Sequence, residues 1–463
     1  MSLLYGVARK AVSDSVNGCC RRPAGILLAL LCLPFIAQAA EPEDWPDILS
    51  LDYALSQASH EHPQLQIAVA RIDQQRASVA ATEAQTGLQS GIAARLRWVE
   101  PPAIAPDQSQ DDHSLSLYVD KVLYDFGRSA AQLAAGEAAT LSVEQRYREA
   151  ENRHRLAILA AYFDVLLADQ AYARDNEDMS MFYVRADRAS QRNELGQLSD
   201  IELLEQRSQY QESRVRRYRS SVAQRTTRAQ LANVLNRPGR LPRDLEEPKL
   251  DILQRAIPDD TQAWLSEAEE NNPLLAAYRL RVEAATAQLD AASASDNPTL
   301  LGSAEVSRYS RELGSNDNWR AGVSVDVPLT TGGRSQAERA KRRAEVAAAR
   351  AELEQQRRDI RQAIMETWGE LQSLKVTRDQ VQAETEFRDL YLDRSRALYE
   401  MEVKSDLGDA MVKTTAARYQ MMKTDLMMGL AWARLEALLG RTVFAEHSAT
   451  PSAVSSAQVE KNP

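Results

Sequence analysis

The stretch VLYDFGRSAAQLAAGEA (residues 122–138) passes from alternating apolar residues, through a glycine, into an alanine-rich helical pattern. The stretch VDVPLTTGGRSQAERAKRRAE (residues 325–345) does the same about two hundred residues later. Gly127-Arg128 in the first returns as Gly333-Arg334 in the second, an offset of 206. Tyr162 and Trp368 share that offset, as do Ser199 and Ser405. VLNR at 234–237 returns as LLGR at 438–441, offset 204, and the segment from His62 is echoed from Asn272, offset 210. Separate landmarks keeping nearly one distance mark a duplication.

Each half repeats one order of elements. Leu55, Ala58, Leu65, Val69, Ile72 and Val79 recur at helical spacing, so a helix is expected from Leu51 to about Leu88. Two period-2 segments follow. In IAARLRW (residues 92–98), Ile92, Ala94, Leu96 and Trp98 oppose Ala93, Arg95 and Arg97. In SLSLYVDKVLY (residues 114–124), Leu115, Leu117 and Val119 oppose Ser114, Ser116 and Asp120. The Pro- and Asp-rich loop 100–112 makes them a hairpin. Residues 129–194 contain no Pro and one Gly, Gly136, so they read as a helix that reaches on the order of 100 Å. A return helix runs from Ser199 to Leu235 and stops at NRPGRLP (residues 236–242). In the second half, Ser303, Glu305 and Ser307 share one strand face, and Ala321, Val323, Val325 and Val327 oppose Gly322, Ser324 and Asp326. The expected domains are a leader at 1–39, a first repeat at 40–258, a second repeat at 259–443 and a disordered tail at 444–463.

The leader reads as a secretory signal peptide. Arg9, Lys10, Arg21 and Arg22 precede the apolar run 24–37, and small residues follow at Ala37 and Ala39. Cys19, Cys20 and Cys32 all lie in it, so the mature chain is expected to lack disulfides and thiol chemistry. Leu31 before Cys32 argues against lipidation, because a lipoprotein signal wants a small residue there. The net charge of −10, about −13 once the basic leader is removed, disfavours nucleic-acid partners. No later run of 18 apolar residues suggests a membrane helix.

An exported chain without such a helix can still enter a membrane as β-strands. Strands of roughly ten residues with one apolar and one polar face suit a tilted membrane strand. Four strands leave open edges, and lipid does not tolerate unpaired edges, so the strands must close into a barrel shared between chains. The helices are rich in Ala, Gln, Glu and Arg, and the chain has only six Phe, which suits side-by-side packing in a tube wall. The same composition also suits a water-exposed antiparallel coiled coil.

The signal, the duplicated layout, the hairpins and the YDFGR and PLTTGGR junctions resemble the TolC family of bacterial outer-membrane efflux proteins. The resemblance covers about residues 51–443. It implies an α+β, mostly helical membrane protein: a homotrimer whose four strands per chain make a twelve-stranded barrel in outer-membrane lipid. A long α-helical barrel would continue it through the periplasm. The implied role is a passive channel-tunnel of a tripartite pump or type I secretion system, served by a periplasmic adaptor and an inner-membrane transporter. At the periplasmic tips the family pattern falls on Gly196, Ser199 and Glu202 in the first half. In the second half it falls on Tyr399, Lys404 and Ser405, with Glu402 where a Gly is expected and Gly408 at the acidic position. The resemblance thus implies a gate of Tyr399 and Lys404 with Glu202 as partner, and Asp406 or Asp409 as the acidic entrance. Adaptor docking is implied at Gly196, Ser199, Glu402 and Ser405, and strand-to-helix corners at Gly127, Arg128, Gly333 and Arg334. Lys for the commoner Arg turns a bidentate lock into a point charge.

Other chemistry finds little footing. His60 and His62 at i and i+2 do not share a helix face, and no third ligand stands nearby. Met421, Met422, Met427 and Met428 suit helix interfaces better than a metal path. No nucleophile elbow, P-loop or dinucleotide fingerprint occurs, so neither an enzyme nor a cofactor is expected. The alternative reading is a periplasmic coiled-coil adaptor, which carries one central hairpin rather than two equivalent halves. Drug, metal and polypeptide export all remain open as cargo.

Overall fold

The computed structural model describes residues 46–58, 61–240, 242–311, 317–403 and 406–444. The leader, Lys404, Ser405 and the tail beyond 444 lie outside them. The first half contains β1 (Ile48–Leu49), α1 (Leu51–Ser56), α2 (Pro63–Thr86), β2 (Gln89–Arg95), β3 (Ser114–Tyr124), α3 (Arg128–Glu194) and α4 (Asp200–Val234). A connection bearing β4 (Asp244–Leu245) leads to α5 (Gln262–Asn271), α6 (Pro273–Ser293), β5 (Thr299–Tyr309), β6 (Trp319–Asp326), α7 (Arg334–Glu400) and α8 (Leu407–Leu438). The order helix, two strands, long helix, return helix therefore occurs twice. Both α3 and α7 are 67 residues long, about 100 Å of helix.

Two expectations need correction. The single helix read from Leu51 to Leu88 is two helices, because Pro63 cannot continue a preceding helix and instead occupies the first turn of α2. The short elements β1, β4 and α5 escaped the sequence reading, since two-residue strands carry no measurable period. β1 pairs in parallel with β4, Ile48 opposite Asp244 and Leu49 opposite Leu245.

The core sits around the middle of the long helices. Ile158, Leu159, Tyr162, Phe163 and Val165 of α3 meet Ile360, Ile364 and Leu371 of α7 and Leu426, Met428, Trp432 and Leu435 of α8 in one buried cluster. This packing explains why α3 contains a stretch apolar enough by composition to cross a membrane. Within the cluster Trp264 meets Trp432 edge-on at 6.0 Å. The residues at offset 206 have matching duties. The Tyr162 hydroxyl lies 2.7 Å from the Leu49 carbonyl and 2.6 Å from that of Glu246, clasping both strands of the β1–β4 pair. Trp368 Nε1 donates to the Pro258 carbonyl at 2.9 Å. Each long helix thus holds a connecting segment against its own midpoint. Met428 is fully buried and Met422 packs on the same cluster, the gap-filling use expected of methionine.

The four major helices end alike. Gly196 after α3, Asn236 after α4, Glu402 after α7 and Gly440 after α8 have φ of 68°, 56°, 58° and 79°. The residue following each donates back to the helix: Gln197 to the Arg192 carbonyl at 2.8 Å, Arg237 to Ala232 at 2.8 Å, Val403 to Leu398 at 3.0 Å and Arg441 to Glu436 at 2.9 Å. This left-handed cap favours glycine because a Cβ crowds the carbonyl, at about 1–2 kcal/mol. Glu402 therefore keeps the backbone of a glycine without being one. Glu402→Gly is expected to stabilise the folded protein by about 1 kcal/mol and Gly196→Ala to destabilise it similarly, as read from denaturation midpoints. Gly440→Ala should cost more than Gly196→Ala, because its Cβ would fall 2.2 Å from the Asn271 carbonyl whereas Gly196 faces open space.

Candidate functional site

Within the four-stranded antiparallel sheet the order is β2-β3-β5-β6, so the two hairpins meet through β3 and β5. Register sets Ser116 between Ala93 and Ser307, Tyr118 between Gly91 and Glu305, and Asp120 between Gln89 and Ser303. Glu305 in turn faces Arg320 and Ser303 faces Gly322. The polar faces expected for the separate strands thus coincide on one side. Ser116 and Ser307 hydroxyls lie 2.8 Å apart, Ser307 also donates to Glu305 at 2.8 Å, and Glu305 is ion-paired with Arg320. The opposite side presents Ile92, Leu117, Val306, Trp319, Val323 and Val325, all exposed. β2 and β6 are edges within the chain. Aromatics mark both limits of the sheet: Trp98 and Trp319 at the loop end, Tyr124 and Phe126 at the helix end, the latter two edge-on at 4.7 Å.

At the corners the chain needs two consecutive left-handed residues. Phe126 and Gly127 have φ of 53° and 94°, and Gly332 and Gly333 have φ of 63° and 86°. Arg128 and Arg334 are then the first residues of α3 and α7. An oxygen-bearing side chain just before each corner caps the helix: Asp125 accepts from the Ser129 amide at 2.9 Å, and Thr331 accepts from the Ser335 amide at 3.4 Å. The sequence reading named the glycine and arginine but missed these caps. Their signal is an Asp or Thr four residues before a Ser in both DFGRS and TGGRS.

Within one chain the tip carboxylates have local partners. Ser199 caps α4 in a full capping box, with its amide 3.0 Å and hydroxyl 2.7 Å from a Glu202 carboxylate oxygen. Those bonds hold the Glu202 carboxyl below its usual range. Tyr399 itself is exposed, and its carbonyl belongs to the left-handed cap of α7. Asp406 accepts from the Tyr391 hydroxyl at 2.8 Å. Asp409 pairs with Lys413 at 2.8 Å and with Arg185 of α3 at 3.2 Å, and these partners, Lys413 foremost, lower its pKa. Arg185–Asp409 ties the tip of α8 to α3, that is, the second half to the first. Gly408, at the position expected to be acidic, packs so closely that a Cβ would lie 2.2 Å from Met181 sulfur. Tyr391, Arg185 and Met181 went unremarked in the sequence because their partners are distant in the chain.

A sheet apolar on one side and polar on the other, prolonged by paired long helices, is also the fold of solved outer-membrane channel structures. Residues 264–441 match the outer membrane efflux protein family. Protein CyaE of Bordetella pertussis is 28% identical over 358 residues, covering 72% of this chain and 71% of that protein. Outer membrane efflux protein BepC of Brucella suis is 24% identical over 270 residues, 57% of this chain and 58% of its own. Among solved structures, the outer membrane protein VceC of Vibrio cholerae superposes with a TM-score of 0.67 at 17% identity, covering 85% of this chain and 96% of that one. The Campylobacter jejuni CmeC outer membrane channel gives 0.70 at 12% identity, covering 87% and 90%. The chain is thus similar to the outer membrane efflux proteins, and its place is the outer membrane, extending into the periplasm. An exposed apolar side is what a strand facing lipid needs. Val323→Arg is expected to reduce membrane assembly by about 2–4 kcal/mol, while Ser324→Arg on the polar side should assemble normally, as scored by folded oligomer recovered in outer-membrane fractions.

Proposed function

We propose that three copies of the chain close their sheets into one twelve-stranded barrel, continued by a helical tunnel, and act as a passive conduit for export. The carrying observation is the sheet itself, apolar on one side and unpaired along both edges. In hydrocarbon each unpaired backbone group costs several kcal/mol, and pairing β6 of one copy with β2 of the next removes every edge. The repeats at 40–258 and 259–443 would give three chains a quasi-sixfold wall. A periplasmic adaptor would dock on the tip turns at Gly196, Ser199, Glu402 and Ser405, and an inner-membrane transporter would supply the energy. The gate would combine Tyr399 and Lys404 with the Arg185–Asp409 tie between halves. Asp406 and Asp409 serve this gate through Tyr391 and Arg185, and Glu202 serves it through the cap of α4.

Single-channel conductance of the purified mature protein in planar bilayers tests the reading. A small wild-type conductance is expected, rising several-fold in Tyr399→Phe/Lys404→Ala and in Arg185→Ala. Insertion with conductance unchanged in both variants would keep the channel and remove the gate. Folded protein that never inserts would overturn the conduit and favour a periplasmic adaptor.

A further inference from the structure

Each half has a joint where the return helix meets the helix that leads to the strands. In the second half, Asn272 makes this joint. Its amide oxygen accepts from the Leu274 and Leu275 amides at 2.9 and 3.1 Å, and its Nδ2 donates to the Leu438 carbonyl at 2.8 Å. One side chain therefore caps α6 and grips the end of α8. His62 occupies the same place in the first half, also before a proline. Its Nδ1 accepts from the Gln64 amide at 3.3 Å, and the Asn233 backbone near the end of α4 is a polar partner of the ring. Asn236 adds a bond from its Nδ2 to the Glu61 carbonyl at 3.2 Å.

An asparagine performs both duties at any pH; a histidine does so only while neutral. Accepting at Nδ1 requires a single tautomer. A proton on Nδ1 would face the Gln64 N–H and abolish the cap. Against His62 lies a second imidazole, His154 of α3, with ring centroids 4.2 Å apart and only 3% of its surface exposed. The residue 206 further on is Ile360, buried in the core. The charged groups around the pair are committed elsewhere or only flank it. Arg153 pairs with Glu149, Arg155 donates to the Val443 carbonyl at 3.3 Å, and Arg237, after α4, donates to Gln57 at 3.1 Å. Glu61 precedes His62 in the chain. Among the described residues neither imidazole has a carboxylate partner.

We infer that the α4–α2 joint is an acid-sensitive hinge built into one half of the tunnel wall, with the His62–His154 pair as its proton-responsive element. Two imidazolium rings in contact, one buried and the other half-buried, repel each other. Burial first, and His62 second, lower the His154 pKa to about 4, and burial also lowers that of His62. The sign follows. An unfolded histidine takes its proton near pH 6.5 while the folded pair resists it. Stability from the neutral pair is therefore whole above about pH 6.5 and drains away as pH falls toward about 4. The Asn272 joint does not change over that window.

Hydrogen exchange on the purified oligomer, corrected for intrinsic rates, reads the two joints separately. Between pH 7 and pH 4.5 the amides of Gln64–Ile67 are expected to lose protection at least tenfold, and those of Leu274–Ala277 to keep it. His62→Asn/His154→Ile installs the pair found in the other half and should abolish the pH response while leaving protection at pH 7 intact. An unaltered pH response in that double variant would overturn the hinge, as would equal loss at both joints. His154→Gln alone, which keeps the residue polar, should leave a reduced response; a full one would also count against it.

Discussion

A backbone N–H or C=O left unpaired in hydrocarbon costs several kcal/mol, and the sheet presents two rows of them along β2 and β6. No rearrangement within one chain can satisfy both rows, because each half supplies two strands and the inner pair, β3 and β5, already bond each other. Both rows therefore stay open within one chain, and at the far end of each hairpin the chain must turn from strand to helix. Two consecutive left-handed residues followed by a capped serine solve that turn in both halves. The shared solution explains why DFGRS and TGGRS look related although only the GRS is common.

Beyond the sheet, the long helices are held by a belt at mid-height rather than by a core along their length. Tyr162 and Trp368 use their polar tips to hold connecting segments, and the apolar cluster fills in around them. Away from that belt the helices carry small residues and ion pairs such as Arg228–Asp169 at 2.6 Å and Arg378–Asp425 at 2.6 Å. Both pairs are half-buried, and that of Arg228 with Asp169 is bidentate, so they fasten the helix pairs beyond the belt.

Much of this was legible in the sequence because the signals are periodic and repeated. Alternation in 114–124 gave β3 to the residue, and the absence of proline over 129–194 gave α3 almost to its bounds. The landmarks at offset 206 identified equivalent positions before any contact was known. What stayed hidden is of two kinds. Elements such as β1 and β4 are too short to carry a period and exist only through long-range pairing and Tyr162. The tip partners Arg185–Asp409 and Tyr391–Asp406 join residues whose association depends on how the helices pack. The residue types at the tips were readable, whereas the choice of which carboxylate meets which cation was settled by packing.

The pairing of β3 with β5 also fixes an order of events. Ser114 lies opposite Tyr309, 195 residues away in the chain, while the helical hairpins α3–α4 and α7–α8 join neighbours across turns of a few residues. Loop-closure entropy makes the distant strand pairing the slow step and the local hairpins the fast one. The apolar sheet face is then assembled last, after two stiff helical hairpins already exist to align it. A duplicated chain can therefore form the local hairpins α3–α4 and α7–α8 first, before the shared core and the sheet join its two halves.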